Sequence, residues 1–385
     1  MVTLNSADNA LKSFYLEAIT DALNMKTNPF LAMVQRTTQD IVGKDVKKIV
    51  RTGINGGICA GTEAGELPSA EASNYITFTA PLKNLYGTLE ISDKAFRAAA
   101  KDEGAFVNLL NEEMNHLIKS ANRNFGRMLF GAGNGVLGTI TEIISQTQIR
   151  LDSLKNVAEG MNIDVYDGDT LLIENIPIEV MDKLSKIIQV KKTSTLTSSN
   201  VPVGSTICLH GSRGNEISGL DQLFFAEDLY GKEKNIAFMF PYIKEVKDNF
   251  GEELIESTID EVEENSGGKV NVILCSRKVR RALSKLYRDK NLPVPMQELD
   301  GENVMSFNGI PVIVDDFCPE GRMYLLNSED FKLYQLCDWE WLQAEDGKIL
   351  KQVPGKPVYT ATLVKYAELI CERPCGQGMI IGIDA

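Results

Sequence analysis

Hydrophobic positions along the chain keep different periods in different stretches, and the periods predict the elements. In GAFVNLLNEEMNHLIKSANRNFGRMLFG, Phe106, Leu110, Met114, Leu117, Ala121, Phe125 and Met128 recur at spacings of 4, 4, 3, 4, 4 and 3. One continuous apolar stripe at that period predicts a single α-helix of about seven turns, roughly 35–40 Å long. Few helices of globular domains are that long. A shorter stripe, Leu11, Tyr15, Ile19 and Leu23, predicts an amphipathic helix over residues 5–25. Asn28-Pro29 ends it, because a residue before proline is driven out of the helical region. The stretch ISDKAFRAAAKDEG predicts a short helix with Ser92 as its N-cap.

Residues 44–84 have no helical stripe. KDVKKIV and YITFTAPLKNLYGTLEI alternate as strands do, and between them lies TGINGGICAGTEAGELPSAEASN, rich in Gly, Ala, Ser and Glu. The pattern predicts a long two-stranded excursion with a polar tip. Isolated hairpins are marginal in water. Either this one is disordered, or something outside its own domain holds it.

Beyond residue 139 the period falls to two. TITEII, TLLIENIPIEV, KIIQVKKTSTLT and STICLH predict a small β module, inserted over residues 139–215 after the long helix. Residues 216–330 are mixed. GEELIESTIDEVEENSGG is an acidic helix with Ile255, Ile259 and Val262 inward, KVNVILC a buried strand, and SRKVRRALSKLYRDKN a basic helix capped by Ser276. VMSFNGIPVIVDD is a hairpin turning at Asn308-Gly309, and GRMYLLN is another strand. From 331 onward long strands are expected around an Asp346-Gly347 turn, with Trp339 and Trp341 alternating onto one face.

The chain has 385 residues, enough for two or three domains with their own cores. Its 43% apolar and 24% charged residues are ordinary for a soluble globular protein. No apolar run of about 18 residues occurs, so no transmembrane helix and no membrane partner are expected. The N-terminus lacks the basic and apolar regions of a secretory signal. A formal charge of −13 argues against gripping nucleic acid over the whole surface, though not against facing it. Seven cysteines at irregular spacings are read as reduced, structural thiols of a protein made in the cytosol.

Candidate chemistry is sparse. Gly133, Gly135 and Gly138 spell G-x-G-x-x-G, but a dinucleotide loop must follow a strand and open a helix. Here the order is reversed, and the glycines are read as a helix C-cap and a turn into the next module. Asp164, Asp167 and Asp169 lack the spacing of a calcium loop and are read as a turn. His116 and His210 belong to no catalytic motif, and the acid pairs Asp315-Asp316 and Asp338/Glu340 arise by chance in a chain with 53 acids. Arg277, Lys278, Arg280, Arg281, Lys285 and Arg288 resemble a nucleic-acid patch, but no aromatic platform accompanies them, and a solvated or subunit-contacting face is the preferred reading. No catalytic residue, cofactor or metal site is assigned, and no enzymatic activity is expected.

Several stretches, taken in order, resemble major capsid proteins of tailed bacteriophages with the Hong Kong 97-type fold. They are FTAPLKNLYGTLEISDKAFRAA, the long helix with its glycines, GGKVNVILCSRKVRRAL, FNGIPVIVDDFCPEGRMYLLNSEDFKLYQL and YTATLVKYAEL. The likeness covers most of residues 5–380 and is weakest at 140–215. It implies an α+β shell subunit. Residues 1–43 would be an N-terminal arm and 44–84 an extended E-loop lying across a neighbour. Residues 85–138 would be a peripheral domain, with Phe106, Leu110, Leu117 and Phe125 in the core of its spine helix. An inserted β domain (139–215), an axial domain (216–330) and peripheral strands with the C-terminus (331–385) would follow.

The function implied is self-assembly into an icosahedral shell of hexamers and pentamers around double-stranded DNA, held by nonspecific proximity. The implied partners are other copies of the chain, portal and scaffolding proteins and a decoration protein; the implied place is the virion, assembled in the host bacterial cytoplasm. The chain starts almost directly at the arm, so a separate scaffold or none is expected. Some relatives weld subunits through an E-loop lysine, but no lysine lies between Arg51 and Lys83, so a noncovalent shell is expected. Glu63, Glu66 and Glu71 at the tip are expected to meet basic groups on a neighbour, with Arg277, Arg280, Arg281 and Arg288 as a candidate contact helix. Two rivals stay open: an encapsulin-type compartment, and a nucleotide-dependent enzyme using residues 131–138.

Overall fold

A computed structural model of the chain describes residues 28–63, 65–66, 69, 72–94, 103–191, 196–197, 200–247, 250–299, 301–343 and 347–383, with backbone alone for 103–112, 114–115 and 302. The expected helix over 5–25 and the turn residue Asp346 lie outside the described residues. In chain order, α1 (Pro29–Met33) leads into β1 (Gln35–Thr37), β2 (Ile41–Val42), β3 (Asp45–Thr52), β4 (Asn74–Pro81) and β5 (Lys83–Ser92). After α2 (Glu103–Met128) come β6 (Val136–Ser145), β7 (Gln148–Leu151), β8 (Asn162–Asp167), β9 (Thr170–Asp182), β10 (Ile187–Val190) and β11 (Thr206–Leu209). Then follow α3 (Leu220–Phe225), β12 (Asp228–Leu229), β13 (Lys232–Glu233), β14 (Tyr242–Glu245), α4 (Glu252–Ser266), β15 (Val272–Cys275) and α5 (Arg277–Asp289). The chain closes with β16 (Met296–Leu299), β17 (Glu302–Phe307), β18 (Ile310–Val314), β19 (Met323–Leu326), β20 (Phe331–Trp341), β21 (Lys351–Gln352), β22 (Val358–Cys371) and β23 (Gly378–Ile381).

YITFTAPLKNLYGTLEI, expected as one strand, is two. It breaks at Leu82, where β4 leaves its pairing with β3 and β5 joins a different sheet against β22. Leu82 and Leu85 are both buried, so the break inserts side chains into the main core while the hairpin runs on outside it. Ser92 ends β5, and the helix expected after it falls largely outside the described residues. The sheet β1-β20-β22-β21, with β5 added on β22, carries the main core. α2 packs on it: Phe125 is 1% exposed and meets Trp339 edge-on at 6.5 Å between ring centroids. α1 inserts Phe30 between Phe331 (5.3 Å) and Phe130 (6.0 Å). Trp339 and Trp341 are both buried.

Strands β6 to β11 close into a barrel in the order β10-β7-β6-β11-β8-β9. Closure removes the free edges that such short strands would otherwise expose. The barrel has its own apolar interior, with Ile140, Ile149, Ile163, Val165, Ile188 and Ile207 fully buried.

The third unit is a seven-stranded sheet, β14-β23-β19-β15-β18-β17-β16, sharing one core with α4 and α5. Ile255, Ile259 and Val262 of α4 face that core as the spacing predicts, and all four residues of β15 are buried. The β17–β18 hairpin turns at Asn308 (φ 49°) and Gly309 (φ 83°), both left-handed as a tight two-residue turn requires.

Candidate functional site

The hairpin of β3 and β4 is paired over eight residues, from Asp45↔Pro81 to Thr52↔Asn74, and then stops. Along its outer half and beyond its last pair it exposes apolar side chains: Ile49 64%, Ile54 90%, Ile58 86% and Tyr75 64%. Single exposed apolar residues are normal, but a run along one projecting element marks a surface awaiting a partner. Glu63 and Glu66 are exposed at the tip; Glu71 lies outside the described residues.

α5 is built as its sequence predicts. Ser276 caps it, accepting from the Val279 N–H at 3.4 Å, and Val279, Leu283 and Tyr287 go inward at four-residue spacing. The basic residues take the opposite face but do not form one uniform patch. Arg277 is engaged within the chain by a two-pronged pair with Asp316 (2.7 and 2.8 Å), and Lys278 by Glu320 at 2.6 Å. Arg280, Arg281, Lys285 and Arg288 are exposed and make no ion pair among the described residues. Of the stripe residues on α2, Leu117 is half-buried and Phe125 buried, while the side chains of Phe106 and Leu110 lie outside those described.

The glycine motif follows α2 and precedes β6, the reverse of a nucleotide loop. It marks where the chain enters the barrel. Gly135 has φ 78°, and a Cβ there would lie 2.5 Å from the Ser212 carbonyl of the returning chain. Gly219, further along that return, fits against the last carbonyls of α2: a Cβ would come within 2.3 Å of Met128 O. Arg127 and Glu216 lock the same junction with two hydrogen bonds, of 2.6 and 2.9 Å, and both side chains are nearly fully buried. Sequence reasoning missed this pair; its partners stand 89 residues apart, and no local pattern joins them.

Asp164 is buried in the barrel, accepting from Asn175 N–H, Gly211 N–H and His210 Nδ1, while Asp167 and Asp169 are exposed beside Gly168. Asp338 sits between Arg36 (3.0 Å) and the buried Lys365 (2.5 Å). Burial, the largest cause, pushes the Asp315 carboxyl up to about 6, and Asp316 beside it adds to this. Among the described residues no group of three or more His, Cys, Asp or Glu is placed to hold a metal. His116 is exposed on α2.

No protein-family model matches the sequence, and no curated protein matches it. Solved structures do. The capsid asymmetric unit of cyanophage A-1(L) aligns with 92% of this chain and 93% of its own, at 13% identity and a TM-score of 0.55. The capsid of an empty GTA particle aligns with 93% and 90%, at 9% identity and a TM-score of 0.51. An encapsulin complex from Synechococcus elongatus aligns with 93% and 88%, at 10% identity and a TM-score of 0.47. At these identities the first two likenesses establish the fold: the chain is an α+β protein of the Hong Kong 97 capsid type.

Proposed function

We propose that this chain is the major capsid protein of a tailed bacteriophage, a subunit that assembles into an icosahedral shell of hexamers and pentamers around double-stranded DNA. The observation that carries the reading is a projecting hairpin, apolar and exposed at its far end, on a capsid-type fold. Another copy of the chain, docked by symmetry, would bury that surface. In this reading residues 1–43 are the arm, 44–84 the E-loop, 85–138 and 331–385 the peripheral domain, 139–215 an inserted domain, and 216–330 the axial domain. The partners are other copies, portal and scaffolding proteins, a decoration protein and the packaged DNA. The assembled protein belongs to the virion and forms in the host cytoplasm.

Individually weak contacts suffice, because closure multiplies them. Glu63, Glu66 and Glu71 would face basic groups of a neighbour, with Arg280, Arg281 and Arg288 as the arginines of α5 that make no ion pair among the described residues. Arg277 is the weakest member of that set, since Asp316 already holds it.

Negative-stain electron microscopy of the purified protein tests the reading. Closed particles of uniform size support it, and a small oligomer that binds nucleotide ends it. Shells that co-purify with a protein cargo and no portal would move the reading to an encapsulin-type compartment. With no lysine between Arg51 and Lys83, the shell should dissociate to single chains in unheated detergent.

A further inference from the structure

A cleft of about 590 Å³ opens where the barrel faces α2, the start of α5 and the loop after β18. The chain carries a formal charge of −13, yet six cations and three acids line this cleft. Arg123 comes from α2, Lys155, Lys183 and Lys186 from connections of the barrel, and Arg277 and Lys278 from α5.

The acids are already engaged. Asp316 holds Arg277 with two bonds of 2.7 and 2.8 Å, and Glu320 holds Lys278 at 2.6 Å. Asp315 is 1% exposed, and its carboxyl accepts from the N–H groups of Phe317 and Phe30. The other four cations have no carboxylate within hydrogen-bond reach among the described residues. Three of them rest on backbone instead. Arg123 Nη2 donates to the carbonyls of Lys155 (3.2 Å) and Val157 (2.8 Å), Lys155 Nζ to Cys318 O, and Lys186 Nζ to Asp152 O at 2.8 Å. Lys183 is exposed. Arg123 Nε is buried with no hydrogen-bond partner among the described residues. Lys155 feels the three acids through space, but burial outweighs them and lowers its ammonium.

A carbonyl satisfies a donor without supplying a counter-charge. Like charges drawn together repel, and a guanidinium N–H buried without an acceptor is costly. Both demands are met by an anion with several charged oxygens, because separate donors can share them. Guanidinium and ammonium groups together suit phosphate oxygens. The cleft lies within the roughly 300–1,000 Å³ of ligand sites, so a short chain of phosphates fills it better than one phosphate does.

We propose that this cleft binds a compact polyphosphate anion, which bridges Arg123 on the body to Lys155, Lys183 and Lys186 on the barrel. Binding to both walls stabilises the seat of the barrel, since the ligand favours the state in which all four cations converge.

Isothermal titration of the full chain with sodium tripolyphosphate at pH 7.5 and fixed ionic strength tests it. One anion should bind per chain, and sulfate at the same ionic strength should bind far more weakly. Lys183→Gln with Lys186→Gln removes two exposed ammoniums outside the apolar core and should weaken binding about tenfold or more. Lys183→Gln alone, at a side chain with no hydrogen bond among the described residues, should weaken it less but in the same direction. Lys285→Gln with Arg288→Gln, on the exposed face of α5, should leave it within about twofold. Hydrogen exchange of peptides covering 153–158 should slow on adding tripolyphosphate to the wild type and not to the Lys183/Lys186 double variant. No saturable binding by the wild type overturns the site, as does binding that the double variant keeps in full. Unchanged exchange at 153–158 with the anion bound overturns the bridge. A duplex DNA oligonucleotide that binds through Lys183 and Lys186 where tripolyphosphate does not overturns the compact anion in favour of a nucleic-acid backbone.

Discussion

The buried pair Arg127–Glu216 and the buried Asp315 make opposite predictions. Arg127 and Glu216 are 4% and 3% exposed at the side chain and satisfy each other with two hydrogen bonds. Removing one partner strands the other charge, so Arg127→Met should lower unfolding free energy by about 3–5 kcal/mol. Arg127→Met with Glu216→Leu should recover most of that, because the stranded charge is gone. Urea unfolding of the three proteins checks it; a double variant as weak as the single one would contradict the account. Asp315 behaves the other way. Its carboxyl is raised from the ordinary 3.8 to about 6, chiefly by burial, so the folded chain holds that proton more tightly than the unfolded chain does. The ionised group costs stability above pH 6, and the cost disappears as pH falls through 6 towards 4. Two pKa units correspond to about 3 kcal/mol. Asp315→Asn should therefore stabilise by up to about 3 kcal/mol at pH 7.5 and by about 1 kcal/mol at pH 4.5, measured by denaturant unfolding at both pH values. The Phe317 N–H, which the carboxylate accepts at 2.8 Å, keeps an acceptor in the amide oxygen.

At the scale of elements, legibility followed the distance over which each pattern acts. The stripe from Phe106 to Met128, the Ser276 cap of α5 and the Asn308-Gly309 turn are set by neighbours in sequence, and each could be read directly. The break at Leu82 could not. Alternation continues across it, and only the distant partner β22 decides that β5 belongs to another sheet. Barrel closure was likewise hidden: the strands were legible, but their order β10-β7-β6-β11-β8-β9 is a matter of tertiary pairing. At the site, the hairpin excursion and the Ser276 cap of α5 were visible in the sequence, whereas the apolar exposure at Ile54 and Ile58, in a stretch read as polar, was not. The loss of Arg277 to Asp316, 39 residues on, was not. The hairpin supports its own prediction. Ile54 and Ile58 are 90% and 86% exposed, so Ile54→Ser with Ile58→Ser should change subunit stability by less than about 0.5 kcal/mol. If the hairpin is an assembly element, the same variant should shift sedimentation from particles to free subunits. Glu66→Lys should weaken assembly at low salt and less so at high salt, because screening removes contacts between exposed charges. Normal shells from both variants would remove the hairpin from the assembly mechanism.

At the scale of the whole molecule, the barrel is set apart from the rest of the chain in physical terms. Its interior is its own, and the chain enters and leaves through one narrow crossing where Gly135 approaches Ser212. Asn134 O accepts from the Gly214 N–H at 3.1 Å, so the two ends are already hydrogen-bonded to each other before any barrel residue is counted. A short loop can therefore replace the barrel with little closure entropy, since that cost depends only slowly on loop length and the ends need not move. Replacing residues 137–211 with two glycines should leave a cooperatively unfolding body whose melting temperature falls by only a few degrees. The fall reflects losing the bonds that Arg123 makes to the carbonyls of Lys155 (3.2 Å) and Val157 (2.8 Å) and the bond from Lys155 to Cys318 O. Residues 136–210 expressed alone should likewise fold, because a closed barrel with a filled interior leaves no strand edge unpaired. Circular dichroism and thermal melting of the two pieces decide the matter. If neither melts cooperatively, the barrel and the body share one folding unit, and the private core of the barrel is not enough to make it independent.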